Sequence, residues 1–337
     1  MPSNSVFKNV AFALTVGTFA LGLAQSPAAD AKTLRYTTQL PGKNFATKNA
    51  ALFIQCVGDK SDIKIELYDS AQLYRDKEVP QAVASGAIDM GMSTTARFAG
   101  TIPAIEIFYV PFATGNRDQV VKMLSPGAEL RTLLDDALTK TGARPVWWIE
   151  YGRAVFLSKK DKPVRVPADL KGLKVRVFGK TLGEFVKANG GAATLMSGSE
   201  QFVAYQRGTV DAGMTGVASV KSRKLYEVMD VVTISEHAYI YFVSLINEKV
   251  WNSLSKAEQD VMQKCGREAE LAQQAAVGKV EAASIAFTRE KGKQVLELSP
   301  KEIDLWRVSG KPVVDAYLKN SGELGQKVVK AIENSGK

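Results

Sequence analysis

The sequence predicts an α/β protein built from two similar lobes, and three observations predict it. From Thr33 onward, short apolar strand patterns alternate with amphipathic helical patterns. The phrase GAIDMGMST at residues 86–94 returns as GTVDAGMTG at residues 208–216, an offset of 208 − 86 = 122 residues. The chain has 337 residues, 45% of them hydrophobic, enough to give each lobe its own core.

Residues 1–31 stand apart from this pattern. Lys8 precedes the apolar run VAFALTVGTFALGLA, and a small-residue stretch then ends in Ala29-Asp30-Ala31. That is the layout of a secretory signal peptide, because the run is short for a bilayer span and an A-x-A triplet suits the peptidase. A retained N-terminal anchor is the alternative. The reading places the mature protein in the periplasm, beginning near Lys32.

Residues 33–39 read as a strand, 43–57 as an amphipathic helix, 63–68 as a strand, 76–85 as a helix and AIDMGM as a strand. This order predicts a mostly parallel sheet covered by helices. A helix is expected over 117–139, then the strand PVWWIEY. The pattern begins again with KVRVF (174–178), a helix over 181–189, the strand AATLM, a helix over 199–207 and the strand TVDAGM. Each copy of the repeated phrase is therefore a helix ending at a Gly, then a strand with a hydroxyl at its carboxyl end. Ligands bind beyond the carboxyl ends of such strands, so Ser93, Thr94 and Thr215 are expected to face a shared cleft. Ser255 and Glu258 form a capping-box pair ahead of a proline-free run over 256–290, a helix long enough to brace both lobes unless Gly266 and Gly278 break it. Ser299-Pro300-Lys301-Glu302 opens a final helical segment.

Net charge is +9, yet the basic residues are scattered and no zinc-finger or RNP-like motif occurs, which argues against nucleic acid and leaves small anions. His237 is the one histidine, so a multi-His metal site is excluded. No G-x-S-x-G or G-x-G-x-x-G appears, and Gly179-Lys180-Thr181 lacks the upstream glycine of a phosphate loop. No cofactor and no catalytic residue is expected. Cys56 and Cys265 share helical stripes with apolar residues; an exported chain permits a disulfide, but the pattern favours two buried free thiols. The strongest chemical signal is Arg176, which shares a strand face with Lys174 and Phe178. If that face meets the cleft, the guanidinium calls for a carboxylate held by two parallel hydrogen bonds; a solvated or ion-paired arginine is the alternative.

PADLKGLKVRV (167–177), followed by SEQFVAYQRGTVDAG (199–213), resembles the signature of the periplasmic substrate-binding proteins of TRAP transporters, the DctP-like family. Ala71-Gln72-Leu73 and SGAIDMGMS resemble further family positions, and the likeness covers essentially the whole mature chain. It implies the two-lobe periplasmic binding protein fold: lobes over 32–152 and 153–246 joined by hinge strands, and a long spanning helix and terminal helices over 247–337 packing on both. It further implies that Arg176 clamps the substrate carboxylate and that Arg153 and Thr215 line the pocket, with Thr94 and Arg97 at first-lobe positions that can face it. Thr215 stands where many members have Asn and Ala212 where Gly is usual, which leaves the particular acid open. Trp147, Trp148, Tyr151 and Phe178 suggest an aromatic or bulky acid. The function so implied is capture of a small organic acid by a monomer that delivers it to TRAP membrane subunits. An enzyme on a duplicated scaffold, or a binding protein serving a sensor, are the rivals.

Overall fold

The computed structural model describes residues 32–335, and the leader read over 1–31 lies outside them. The first repeat unit is β1 (Thr33–Thr38), α1 (Phe45–Lys60), β2 (Lys64–Tyr68), α2 (Val79–Ser85) and β3 (Met90–Thr94). Two 3-10 turns, Thr95–Phe98 and Pro103–Tyr109, lead to α3 (Arg117–Met123), α4 (Glu129–Thr139) and the long strand β4 (Ala143–Ser158). The second unit is β5 (Lys174–Val177), α5 (Lys180–Ala188), β6 (Ala192–Leu195), α6 (Gln201–Gln206) and β7 (Ala212–Gly216). After it come α7 (Val217–Ser222), β8 (Val231–Ile234), β9 (Tyr239–Asn247), α8 (Glu248–Asn252), α9 (Lys256–Glu290), β10 (Gln294–Glu297), α10 (Pro300–Asn320) and α11 (Gly322–Ser335).

Within each repeat unit the strands are parallel, as the alternation predicts. The strands that join the two units are antiparallel: β9 lies between β3 and β4, and β4 lies between β9 and β7. β4 pairs with β9 from Ala143 to Arg153 and with β7 from Ala154 to Leu157, changing partner just after a bulge between Glu150 and Gly152. The lobe boundary expected between 152 and 153 therefore falls inside one unbroken strand.

The repeated phrase now has a role for each of its fixed residues. Gly86 and Gly208 carry φ of 81° and 64°, the left-handed conformation a helix end adopts cheaply only without a Cβ. Asp89 accepts the backbone N–H of Arg35 at 2.8 Å, and Asp211 accepts that of Lys174 at 2.8 Å. Each aspartate thus clips the first residues of the parallel strand beside it, which sets register where a short strand begins.

Three expectations need correction. The helix over 117–139 is two helices, because Pro126 cannot donate a helical hydrogen bond and Gly127 turns left-handed (φ 83°). The helix expected from Asp76 begins at Val79, and the Asp76 carboxylate turns inward, fully buried. Cys56 and Cys265 are not free thiols; they form a disulfide with Cα atoms 5.7 Å apart, joining α1 to α9. Helical stripes locate both cysteines but say nothing about how α1 packs on α9, and that packing brings them together. α9 itself is one 35-residue helix on β4, α1 and α7, with both halves of its capping box formed. Gly266 sits where a Cβ would lie 3.1 Å from the Val146 carbonyl, so the glycine permits close packing on β4 instead of breaking the helix.

His237 lies between the rings of Phe156 and Phe185, fully buried, with Nδ1 2.7 Å from the Ser235 hydroxyl. Burial disfavours the imidazolium and pushes its pKa down to about 3. The unfolded chain takes up this proton near pH 6.5 and the folded chain does not, so between those values stability falls as pH falls, by about 1.4 kcal/mol per unit.

Two outcomes are expected. The imidazole resonances should stay those of the neutral ring on NMR titration from pH 7 to pH 4, and His237→Phe should lose about 3 kcal/mol less stability over that range than the wild type; titration near pH 6.5 would contradict the burial argument. Reducing the disulfide, which closes a 209-residue separation, should lower the free energy of unfolding by about 2–4 kcal/mol in a urea titration.

A buried guanidinium chamber between the lobes

The two lobes meet around a small chamber at the carboxyl ends of β3 and β7. Gln39, Leu40, Thr94, Tyr151, Arg176, Phe178, Gly198, Thr215, Ser219, Arg223, Ile240 and Phe242 line it. Its volume is about 20 Å³, near that of one water-sized site, so little free space separates the lobes there. Wider grooves lie elsewhere, one of about 960 Å³ beside Lys77, Lys140 and Lys327. The lysine side chains there are exposed and solvated, whereas Arg176 in the small chamber is buried, and the chemistry points to the chamber.

Arg176 occupies β5 with 2% of its surface exposed. Its Nη1 donates to the Met214 carbonyl at 2.5 Å and its Nη2 to the Met196 carbonyl at 3.0 Å, while Nε is buried and has no partner among the described residues. Carbonyls orient a guanidinium without neutralising it. Among the described residues no carboxylate lines the chamber, and burial pushes the Arg176 pKa down to about 10. Gly213 of β7 makes room for this arrangement: a Cβ there would overlap the Tyr205 hydroxyl and lie 3.0 Å from the Arg176 Cβ. Phe178 packs its ring 5.5 Å from the guanidinium. Gln201 and Tyr205 lie 3.4 Å apart beside Thr215, whose hydroxyl is 3.5 Å from the Gln201 amide.

Four expected site residues, Arg176, Phe178, Thr215 and Thr94, thus come together, the last with its hydroxyl and N–H both bound to Asp76 at 2.5 and 2.9 Å. Ser93, expected beside it, turns to the Asp76 backbone carbonyl at 3.3 Å. The other three are placed elsewhere. Arg153 binds Glu281 of α9 at 3.1 Å and Glu236 at 2.8 Å, because the bulge at Gly152 turns it toward the long helix. Trp148 is a core residue: its ring N–H donates to Asp135 at 2.7 Å, and Arg131 lies 5.4 Å from the ring. Arg97 pairs with Asp76 at 2.5 Å and reaches across to the Met196 carbonyl at 3.2 Å, so it bridges the lobes beside the chamber without lining it.

Further contacts close the seam. The Asn44 amide donates to Tyr151 at 2.6 Å and Ser222 at 2.9 Å, and Glu106 accepts the Thr181 N–H at the start of α5 at 2.6 Å. Arg223 is the charged lining residue that the sequence did not single out; the neutral lining residues Gln39, Leu40, Ser219, Ile240 and Phe242 were not singled out either. In the string KSRK nothing in residue type separates it from the lysines, although it caps the end of α7 three residues after the buried Val220 and four after the buried Ser219.

The sequence profile described as bacterial extracellular solute-binding protein, family 7, matches residues 37–320. The sialic acid-binding periplasmic protein SiaP of Vibrio cholerae is 26% identical over 316 residues, covering 92% of this chain and 95% of that protein. The 2,3-diketo-L-gulonate-binding periplasmic protein YiaO of Escherichia coli is 27% identical, covering 97% and 98%. A TRAP periplasmic solute-binding protein of Sulfurospirillum deleyianum, solved with bound succinate, superposes with a TM-score of 0.82 at 22% identity, covering 90% of this chain and 98% of that one. A Bordetella pertussis extracytoplasmic solute receptor binding pyroglutamic acid gives 0.85 at 21% identity, covering 90% and 100%. These solved structures share the two-lobe fold.

Gly213→Ala should force Tyr205 away from β7 and destabilise the protein by about 1–3 kcal/mol in urea unfolding; wild-type stability would mean that the strand relaxes freely there.

Proposed function

The chain belongs to the bacterial extracellular solute-binding proteins of family 7, and on that premise we propose that it captures a small organic acid between its lobes and delivers it to the membrane subunits of a TRAP transporter. One observation carries the chemistry: a buried guanidinium, Arg176, sits at the seam with no acidic counter-ion among the described residues. Such a charge is costly to bury alone, and a ligand carboxylate held by parallel hydrogen bonds offsets that cost. Sialic acid, 2,3-diketo-L-gulonate, succinate and pyroglutamic acid, the ligands in the names of the relatives and neighbours, all carry a carboxylate.

The mechanism is a population shift. The lobes, 32–152 and 153–246 with the helices of 247–337 packed on both, part to admit the acid. Contacts from both sides then favour the shut form, which the membrane subunits accept. Thr215 and Phe178 on the second lobe and Thr94 on the first shape the chamber around the clamp. The protein acts as a monomer in the periplasm.

Mass spectrometry of protein purified without added ligand should identify a retained acid, which then serves in calorimetry. Arg176→Ala should weaken its binding 100-fold or more, from the roughly 3–5 kcal/mol lost when one partner of a buried pair is removed, with the circular dichroism spectrum unchanged. Arg176→Lys should also lose at least about tenfold, since one ammonium cannot form the fork; undiminished affinity of the lysine variant would refute the clamp.

A further inference from the structure

A groove of about 740 Å³ crosses the seam over α9, and its charge is of one sign. Lys43, Lys48, Lys221, Lys224 and Lys291 line it, all exposed, and no carboxylate does among the described residues. Lys291 pairs with the adjacent Glu290 at 3.7 Å; the other four make no ion pair among the described residues. Between the lysines the walls are aromatic and aliphatic. Phe45, Tyr226 and Phe287 are half-buried there. Tyr226 packs edge-on against Phe287 with ring centroids 5.1 Å apart, and the ammonium groups of Lys221 and Lys291 lie 4.8 and 5.3 Å from the Phe287 ring.

The groove belongs to both lobes. Lys43 and Lys48 stand at and just before the start of α1 on one wall, and Lys221 and Lys224 at the end of α7 on the other. Asn44 and Ser222 also line it, and the 2.9 Å bond between them ties the two walls together. Parting the lobes would break that bond and draw the lysine pairs apart, so the groove is complete in the shut form. A lone surface lysine is ordinary, but five around one aromatic hollow combine positive potential with the apolar contact area that protein interfaces use. A single phosphate or sulfate is too small to fill such a volume. A flat anionic membrane would meet lysines on a protruding face, whereas these ring a concavity. An acidic polypeptide segment supplies both the charge and the side chains to fill it.

We propose that this groove is the docking surface for an acidic segment of a protein partner, a stretch in which Asp or Glu is interspersed with aromatic or aliphatic residues. Its place in transport rests on the delivery reading above: an acidic segment of the membrane subunits, held by lysines of both lobes, would distinguish the shut protein from the parted one.

The test uses the mature protein and a fluorescent peptide of Glu-Glu-Phe repeats, beside its Gln-Gln-Phe counterpart, with binding read by anisotropy. The acidic peptide is expected to bind the wild type about tenfold or more tighter than the neutral one, and added salt should erode the difference. Reversing four groove charges together (Lys43→Glu, Lys48→Glu, Lys221→Glu, Lys224→Glu) should weaken the acidic peptide about tenfold or more relative to a control of the same net charge, Lys301→Glu, Lys311→Glu, Lys319→Glu and Lys330→Glu on α10 and α11. All eight positions are exposed, and equal melting temperatures should show that both variants fold. Equal loss in the two variants, or binding that survives reversal of the groove lysines, overturns the assignment. Phosphatidylglycerol vesicles form a third arm: both variants should lose vesicle binding alike, and a loss confined to the groove variant, with the peptide unbound by the wild type, would assign the face to a membrane and overturn the proposal. The peptide arm needs no captured acid, so it stays readable if acid capture fails. With the acid saturating the wild type, Arg176→Ala should bind the peptide about threefold or more weaker; equal affinity, with calorimetry showing acid on the wild type alone, overturns the dependence on the shut form.

Discussion

The desolvated guanidinium of Arg176 is the constraint on which the rest of the chamber depends. The Met214 and Met196 carbonyls fix its plane, but a carbonyl brings partial charge and not a counter-ion. Its neighbours are arranged to keep it that way. Gly213 lets Tyr205 and the arginine stem lie against β7, Phe178 covers the group, and Asp76 is drawn off by Arg97. A stability-first design would place a carboxylate beside it.

The contacts that shut the lobes leave this charge untouched. Asn44 closes the seam through a neutral partner, Ser222, and Arg97 arrives already paired with Asp76. Met196 is the point where the lobes meet on a single atom, since its carbonyl accepts from Arg97 of the first lobe and Arg176 of the second. Behind the seam, α9 is fixed by the disulfide to α1, by Glu281 to Arg153 and by the Gln273 amide to the Glu150 carbonyl. Those ties leave the continuous strands β4 and β9 as the segments a separation of the lobes would bend.

The duplicated phrase shows how local chemistry builds this arrangement twice. In each copy the glycine ends a helix, the aspartate pins a neighbouring strand, and the strand carries a hydroxyl residue, Ser93 or Thr215, to the seam. The copies diverge there, because Ser93 turns back to the Asp76 loop while Thr215 lines the chamber. One lobe contributes shape and closure, and the other contributes the guanidinium groups.

The sequence by itself determined the alternation of strands and helices, the repeat, the capped long helix and the position of Arg176 on β5 with its side chain facing the seam. These depend on residues near one another in the chain, through periodicity, capping and the two-residue pleat, and local spacing is legible. Tertiary structure alone decided the Cys56–Cys265 bridge, the capture of Arg153 by Glu281, the burial of Trp148 in the core and the turn of Arg223 into the chamber. Each of these depends on which element packs against which across tens to hundreds of residues. A bulge of one residue at Gly152, which no pattern announced, is enough to swing a candidate ligand-binding arginine onto a helix.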